Sequence, residues 1–379
     1  VRPSSRIRGR SGGNPARVPE VAIEFANVTK RYPDGTVAVD DLSLTIEDGT
    51  ITVFVGPSGC GKTTSLRMIN RMVEPTSGRV LLDGRDVCES DPPVLRRGIG
   101  YVIQNAGLFP HRTVLDNVAT VPLLSGWGRS RARERAAELL ATVGLPAELG
   151  DRYPAQLSGG QRQRVGVARA LAADSPVLLM DEPFSAVDPI VREDLQDELL
   201  RLQSRLGKTI VFVTHDVDEA VRLGDKVAVL RTGGRLAQYG TPAEVLRNPV
   251  DDFVASFVGR DRGYRGLSFM DATGVQLQDV ATIRLGEPVP WVTTDWALAV
   301  NSDGRPRGWL PPKSTVDGGL REGDLVAGGS LYRRGTPLRG ALDAALSSPA
   351  GLGVVVDDEE RVIGVVTARQ ILDVIEQRR

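Results

Sequence analysis

ITVFVGPSGCGKTT, residues Ile51 to Thr64, is the stretch whose reading decides the fold. Its first five residues are a continuous apolar run, the pattern of a strand covered on both faces. The next nine are Gly56, Pro57, Ser58, Gly59, Cys60, Gly61, Lys62, Thr63 and Thr64, which contain Gly-x-x-x-x-Gly-Lys-Thr. Glycines at those positions let backbone N–H groups curl around phosphates, and the helix that comes after them points its positive end at the same place. Lys62 is placed to reach the β and γ oxygens, and Thr63 to ligate Mg2+. VLLM (Val177 to Met180) and IVFV (Ile210 to Val213) repeat the continuous apolar pattern. Three such runs predict an α/β fold, a parallel sheet with helices on each side. Val21 to Asn27 and Val37 to Ile46 instead alternate apolar and polar, as half-exposed strands do. Arg129 to Ala141 reads as a helix with Glu134 and Glu138 spaced among arginines at i,i+3 and i,i+4.

The other apolar runs end in groups suited to phosphate chemistry. In VLLMDEP, Asp181 at the strand end is placed to hold Mg2+ through water, and Glu182 is the natural general base for an attacking water. His215 comes directly after the third run, TIVFVT. Between them lies LSGGQRQRVGVARAL, in which Ser158, Gly159, Gly160 and Gln161 open an Arg-rich amphipathic helix. Such a helix start is a second anion site built on the same physics as the first, so a second phosphate contact is expected.

Composition bounds the rest. The chain has 379 residues, 41% hydrophobic and 25% charged, which predicts two or three domains of ordinary soluble character. Formal net charge is −1 and no basic stripe is present, which argues against nucleic acid as a partner. No run of about 18 apolar residues occurs, so no bilayer span is expected. The N-terminus lacks the apolar core of a secretory signal, which leaves the cytoplasm. Cys60 and Cys88 are too few for a disulfide framework, and with only His111 and His215 a zinc centre is not expected. Five residues are lysine, so a lysine at the end of the glycine pattern is harder to assign to chance.

Residues 1–20 read as a disordered basic leader, 21–240 as the nucleotide-binding domain and 241–262 as a linker with helices from Pro242 to Arg247 and near Phe253. Residues 263–379 contain an internal repeat: ALAVNSDGRPRGWL (297–310) and GVVVDDEERVIGVV (353–366) share a strand–turn–strand design 56 residues apart. Val300 matches Val356, Asn301 matches Asp357, Arg305 matches Arg361 and Gly308 matches Gly364. Helices are expected at Leu338 to Ser347 and Ala368 to Gln377 around the second copy. The first copy has Pro288 and Pro290 where its preceding helix belongs, and reads as degenerate.

With these motifs in one order, residues 21–240 resemble the ATP-binding-cassette ATPases. The resemblance implies a P-loop NTPase core with an antiparallel β subdomain and a helical subdomain. It places Tyr32 on the adenine, although a strand-edge tyrosine is the alternative reading. Gln104 falls at the glutamine that touches Mg2+ and the water while joining the helical subdomain. Ser185 to Asp188 falls at the D-loop, with Val187 where the family usually has Leu, and His215 at the switch histidine that meets the γ-phosphate. It further implies a head-to-tail homodimer, with each ATP between the P-loop of one protomer and Ser158–Gln161 of the other.

QNAGLFPHRTVLDNV, NRMVEPTSG and the repeat pair are similar to the importers of glycine betaine, carnitine, choline or proline, with the repeats resembling a tandem CBS module. That likeness implies an ATPase subunit on the cytoplasmic face of the membrane. It would work with a separate permease and an extracytoplasmic substrate-binding protein. The CBS-like pair would regulate transport through ionic strength or an adenine-containing ligand. Leu108, Phe109 and Pro110 either pack in the core or meet the permease. Import of another small solute, such as an amino acid, and a non-transport cassette ATPase stand as alternatives.

Overall fold

The computed structural model describes residues 21–104, 106–172, 175–185, 187–289, 295–314, 316 and 318–378. The leader at 1–20, Asn105, Ala186 and Pro290 lie outside the described residues. The chain divides into two compact units, one running to Val245 with Pro249–Phe257, the other comprising Leu246–Asn248 and Val258 onward.

In the first unit, β1 (Val21–Arg31) and β2 (Val37–Glu47) pair antiparallel, and in β2 the side chains of Leu42, Leu44 and Ile46 are buried while those between them are not. Period-two burial arises from the pleat, which sends successive side chains to opposite faces. Next come β3 (Ile51–Val55), α1 (Lys62–Ile69), β4 (Ser77–Leu82), β5 (Arg85–Asp86), α2 (Pro92–Arg97) and β6 (Ile99–Val102). Three helices succeed them, α3 (Val114–Leu124), α4 (Arg129–Thr142) and α5 (Gly159–Leu171). The chain returns through β7 (Val177–Asp181), α6 (Pro189–Leu206), β8 (Thr209–Thr214), α7 (Val217–Leu223), β9 (Lys226–Arg231) and β10 (Arg235–Gly240).

The four-stranded sheet runs β2-β1-β4-β5, and the six-stranded sheet runs β10-β9-β3-β8-β7-β6. In the second sheet every neighbouring pair from β9 to β6 is parallel, and only β10 runs against them. Every residue of β3, β7 and β8 is buried, as continuous apolar runs require. Phe25 of the first sheet and Phe54 of the second sit 6.1 Å apart between ring centres, within one shared core.

Parallel pairing has a consequence for chemistry. Val55 is level with Thr214, Asp181 with Val213, and Val102 with Met180. Strands β3, β8, β7 and β6 therefore finish along one edge, and their carboxyl ends are where an α/β sheet collects its functional loops.

Two short helices, α8 (Pro242–Arg247) and α9 (Asp252–Phe257), come after β10. The second unit continues with α10 (Arg262–Gly266) and two three-stranded sheets. One contains β11 (Thr282–Arg284), β12 (Ala297–Val300) and β13 (Pro306–Leu310); the other β14 (Tyr332–Arg333), β15 (Leu352–Val356) and β16 (Val362–Thr367). In each, the first strand is parallel to the second and the second antiparallel to the third. Their turns match bond for bond: Asn301 Oδ1 accepts from the amides of Asp303 and Arg305, and Asp357 Oδ1 from those of Glu359 and Arg361. Gly308 and Gly364 share φ values of 155° and 150°. The second copy carries α11 (Leu338–Ser347) before its hairpin and α12 (Ala368–Gln377) after it. Among the described residues the first copy has neither helix.

Candidate functional site

The loop after β3 turns on glycines that no other residue can replace. Gly61 has φ +94°, and a Cβ there would lie 2.1 Å from the carbonyl oxygen of Ala38. Gly56 is equally tight, with its added Cβ 2.2 Å from the Leu230 oxygen. At the exposed tip, Ser58 and Gly59 leave open space, so a phosphate can approach the backbone there. Lys62 begins α1 with its ammonium inside the loop, donating to the Gly56 oxygen at 2.7 Å and the Pro57 oxygen at 2.9 Å. Cys60 is fully buried beneath it, and burial pushes its thiol pKa up, so it packs as a small apolar group. Thr64 stands half-buried in the first turn of α1.

Thr63 and Asp181, 118 residues apart in the chain, are joined by a 2.8 Å hydrogen bond from the Thr63 hydroxyl to Oδ1. Oδ2 of the buried Asp181 faces the Tyr101 hydroxyl at 3.4 Å and the Arg67 guanidinium at 3.5 Å. Burial raises the Tyr101 pKa, while its bond to Arg67 acts the other way. Hence Tyr101 stays a neutral hydroxyl beside the carboxylate at ordinary pH.

One residue on, Glu182 leaves β7 with φ +46°, a left-handed backbone rare for a side chain of this size. Its amide donates to the Val213 oxygen at 3.0 Å, which pins the turn to the neighbouring strand. Two sequence-predicted residues converge on its Oε2: Gln104 Nε2 at 3.3 Å and His215 Nδ1 at 3.3 Å. Gln104 also donates to the Ser185 hydroxyl at 3.4 Å. Gln104, Glu182 and His215, far apart in sequence, are thus brought to one carboxylate oxygen.

Mg2+ fits this donor set. Thr63, Asp181 and Gln104 offer hard oxygen atoms, and Mg2+ binds through one or two carboxylates plus phosphates and waters. Among the described residues no three His, Cys, Asp or Glu side chains form an all-protein metal cage.

The Ser158–Gln161 segment lies elsewhere in the same unit. Ser158 caps α5: its hydroxyl accepts from the Gln161 amide at 3.2 Å, and Gln161 Oε1 accepts from the Ser158 amide at 2.9 Å. This reciprocal cap leaves the first-turn amides of Gly159 and Gly160 as donors aimed outward. They line an open cleft of about 450 Å³ with Val187, Asp188 and Arg164, and no residue of the Gly56–Thr64 loop is among its lining. Tyr32, just beyond the end of β1, is 37% exposed, with the Lys30 ammonium 5.3 Å from its ring centre.

Sequence reasoning missed several supports. Arg169 of α5 donates to the oxygens of Ala106 and Gly107, both at 2.7 Å, fastening the segment after Gln104 to the helical subdomain. Asn117 of α3 is fully buried and bonds the amide and oxygen of Phe109 and the oxygens of Arg112 and Thr113. It thereby shapes the loop on which Phe109 is 40% exposed, with Pro110 exposed and Leu108 half-buried. Neither residue carries a local pattern that marks it, because its partners are backbone groups set by the tertiary fold.

The family described as ABC transporter matches residues 39–185. The choline transport ATP-binding protein OpuBA of Bacillus subtilis (strain 168) is 41% identical over 374 residues, 93% of this chain and 96% of the relative. The chain belongs to the ABC transporter ATP-binding proteins. The osmoprotectant import ATP-binding protein OsmV of Salmonella typhimurium is 40% identical, covering 94% of this chain and 97% of its own. Among solved structures, a dimeric ATP-binding cassette in a post-hydrolysis state with ADP and Pi is 35% identical, at a TM-score of 0.54. It covers 58% of this chain and 98% of that one. The cassette is therefore an ATPase of this family, and its likeness to the osmoprotectant proteins runs through both units.

Proposed function

We propose that this chain is the ATP-hydrolysing subunit that energises import of a quaternary-amine osmoprotectant through a separate membrane permease. The observation that carries this reading is the likeness to choline and osmoprotectant transport proteins across 93–94% of the chain, repeat-bearing unit included. Among the described residues no helix is long and apolar enough to cross a membrane, consistent with a permease on other chains. The cassette would sit on the cytoplasmic face of that permease, with an extracytoplasmic binding protein delivering the solute. Phe109 and Pro110, exposed on a loop that Asn117 holds rigid, suit contact with the permease.

Two copies would meet head to tail. Each ATP would lie between the Gly56–Thr64 loop of one protomer and the Ser158–Gln161 helix start of the other, with Tyr32 on the adenine. Asp188, lining the same cleft as Ser158, would face the partner. The separation of functions within one protomer supports this reading, since the cleft of Gly159 and Gly160 contains no P-loop residue.

Chemistry would then proceed on this chain's own groups. Lys62 and the loop amides bind the β- and γ-phosphates; Thr63, Asp181 and Gln104 would hold Mg2+, which would supply charge neutralisation at the transferring phosphoryl group. Glu182 accepts a proton from the attacking water, and Gln104 and His215, both on its Oε2, fix the carboxylate. His215 would also contact the γ-phosphate.

The repeat pair would act as a CBS-like regulator. Deleting residues 263–379 should leave ATP-driven uptake intact and change its response to salt or to adenine nucleotides. Radiolabelled betaine uptake by the reconstituted complex tests the whole proposal. Uptake of an unrelated solute, with betaine, choline, carnitine and proline all refused, overturns the cargo assignment.

A further inference from the structure

His215 poses a problem of placement. Its side chain is 56% exposed and its only polar contact among the described residues is Glu182. A ring so loosely surrounded takes its position from the backbone on either side. Both neighbours are anchored to a single buried residue, Glu219 on α7, which is 7% exposed. Thr214 donates its hydroxyl to Glu219 Oε2 at 2.6 Å, and the same hydroxyl accepts from the Asp216 amide at 3.0 Å. Asp216 Oδ1 in turn accepts from the amides of Asp218 at 2.8 Å and Glu219 at 3.4 Å.

The other carboxylate oxygen faces α6. Glu219 Oε1 accepts from Nε2 of the buried Gln196 at 3.2 Å. One turn earlier on α6, Arg192 donates to the Val187 oxygen at 3.1 Å and places its guanidinium 3.9 Å from Asp216 Oδ2. Its amide donates to the Asp188 oxygen at 2.8 Å. So α6 touches the Val187–Asp188 segment at its start and the His215 turn along its side. Packing alone does not call for a carboxylate in this place. An apolar side chain of similar volume would fill the space without the cost of desolvating a charge.

We propose that Glu219 is a positioning residue for ATP hydrolysis. Its carboxylate holds the Thr214 flank of the His215 turn directly and the Asp216 flank through the Thr214 hydroxyl, and Gln196 and Arg192 of α6 tie that turn to the Val187–Asp188 segment. A partner cassette pressing on that segment moves His215 with it, because the connection runs through one helix and the bonds that Arg192, Gln196 and Glu219 make. This rests on the reading of His215 as a γ-phosphate contact.

The test uses the full chain and measures kcat, KM for MgATP and melting temperature in Glu219→Ala, Thr214→Val, their combination, Thr214→Ser and His215→Ala. Misplacement of a reacting group lowers kcat steeply, so Glu219→Ala and Thr214→Val should each lose about tenfold with KM changed less than about twofold. Because both break one link, the combination should be no worse than the poorer single variant. Thr214→Ser keeps the hydroxyl and should restore most of the rate. Parental kcat in Glu219→Ala and Thr214→Val, with His215→Ala inactive, overturns the clamp and leaves the histidine's role standing. Parental kcat in His215→Ala removes that role and the clamp with it. Losses that add, or that fall equally on KM, mean the residue is merely structural and overturn the proposal. If Glu219→Ala does not fold, the Thr214→Val and Thr214→Ser pair decides by the same criteria.

Discussion

Glu182→Gln separates chemistry from folding at the proposed general base. The side chain is 20% exposed, and its Oε2 meets Gln104 Nε2 and His215 Nδ1, both at 3.3 Å. Glutamine has the same length and keeps one acceptor oxygen, so at most about one hydrogen bond is lost, on the order of 1 kcal/mol. In a unit of this size that shifts the melting temperature by roughly 2–4 °C. Proton transfer is a different matter. An amide cannot take the proton from water, and a positioned base contributes about 10²–10⁴ in rate. That factor corresponds to about 3–5 kcal/mol on the barrier, several times the folding cost. The assay is phosphate release at saturating MgATP, beside nucleotide binding, melting and molar mass in solution. The variant should bind ATP normally, turn over at least about a hundredfold more slowly, and persist as an ATP-held dimer. A rate within about threefold of the parent, with binding intact, would remove Glu182 from the base role.

Four further outcomes are expected. Gly61→Ala forces a Cβ to 2.1 Å from the Ala38 oxygen at φ +94°, so nucleotide binding should vanish and stability should fall by more than about 1–2 kcal/mol in denaturant titration. Thr63→Ala removes the hydroxyl bonded to Asp181 and should abolish the enhancement of ATP binding by Mg2+ while leaving metal-free binding in place, as titration calorimetry can resolve. Asn117→Ala leaves the Phe109 amide and the Arg112 oxygen without the partner that the side chain supplies, costing about 1–3 kcal/mol, and should weaken co-purification with the permease more than it slows isolated ATPase activity. Asp271, whose carboxylate accepts from Thr273 and from Arg378, has its pKa lowered to about 2. A depressed carboxyl lends stability above its unfolded value and loses it as pH falls from about 4 toward 2. Asp271→Asn should therefore lower stability at pH 5 but little at pH 2, by denaturant titration; equal losses at both would refute the linkage.

Sequence was most informative where chemistry is written in contiguous residues. The Gly56–Thr64 loop, Asp181 and Glu182 after an apolar run, and the Ser158–Gln161 cap are local constructions whose spacing carries their geometry. The three continuous apolar runs are strands buried throughout, because only a sheet covered on both faces accepts them. The repeat at 297–310 and 353–366 was legible for the same reason, since its Asn301 and Asp357 turns close on their own amides. Helix α12 begins where Thr367 and Gln370 form a reciprocal cap. Among the described residues no helix follows the first copy's hairpin, and a degenerate repeat gives no positive signal where an element is lost.

The order of residues along the chain determined the set of parts: a phosphate loop, an acidic strand end, a capped helix start and a duplicated hairpin. Which parts meet was decided by the tertiary structure alone. Parallel strands level at their carboxyl ends bring Thr63 to Asp181 across 118 residues and set Gln104 and His215 on one oxygen of Glu182. Arg169, Asn117 and Glu219 act on backbone atoms and side chains that no spacing rule marks. The physical reason is range: capping, periodicity and glycine conformation act over a few residues, whereas convergence on one carboxylate requires the whole sheet to be assembled.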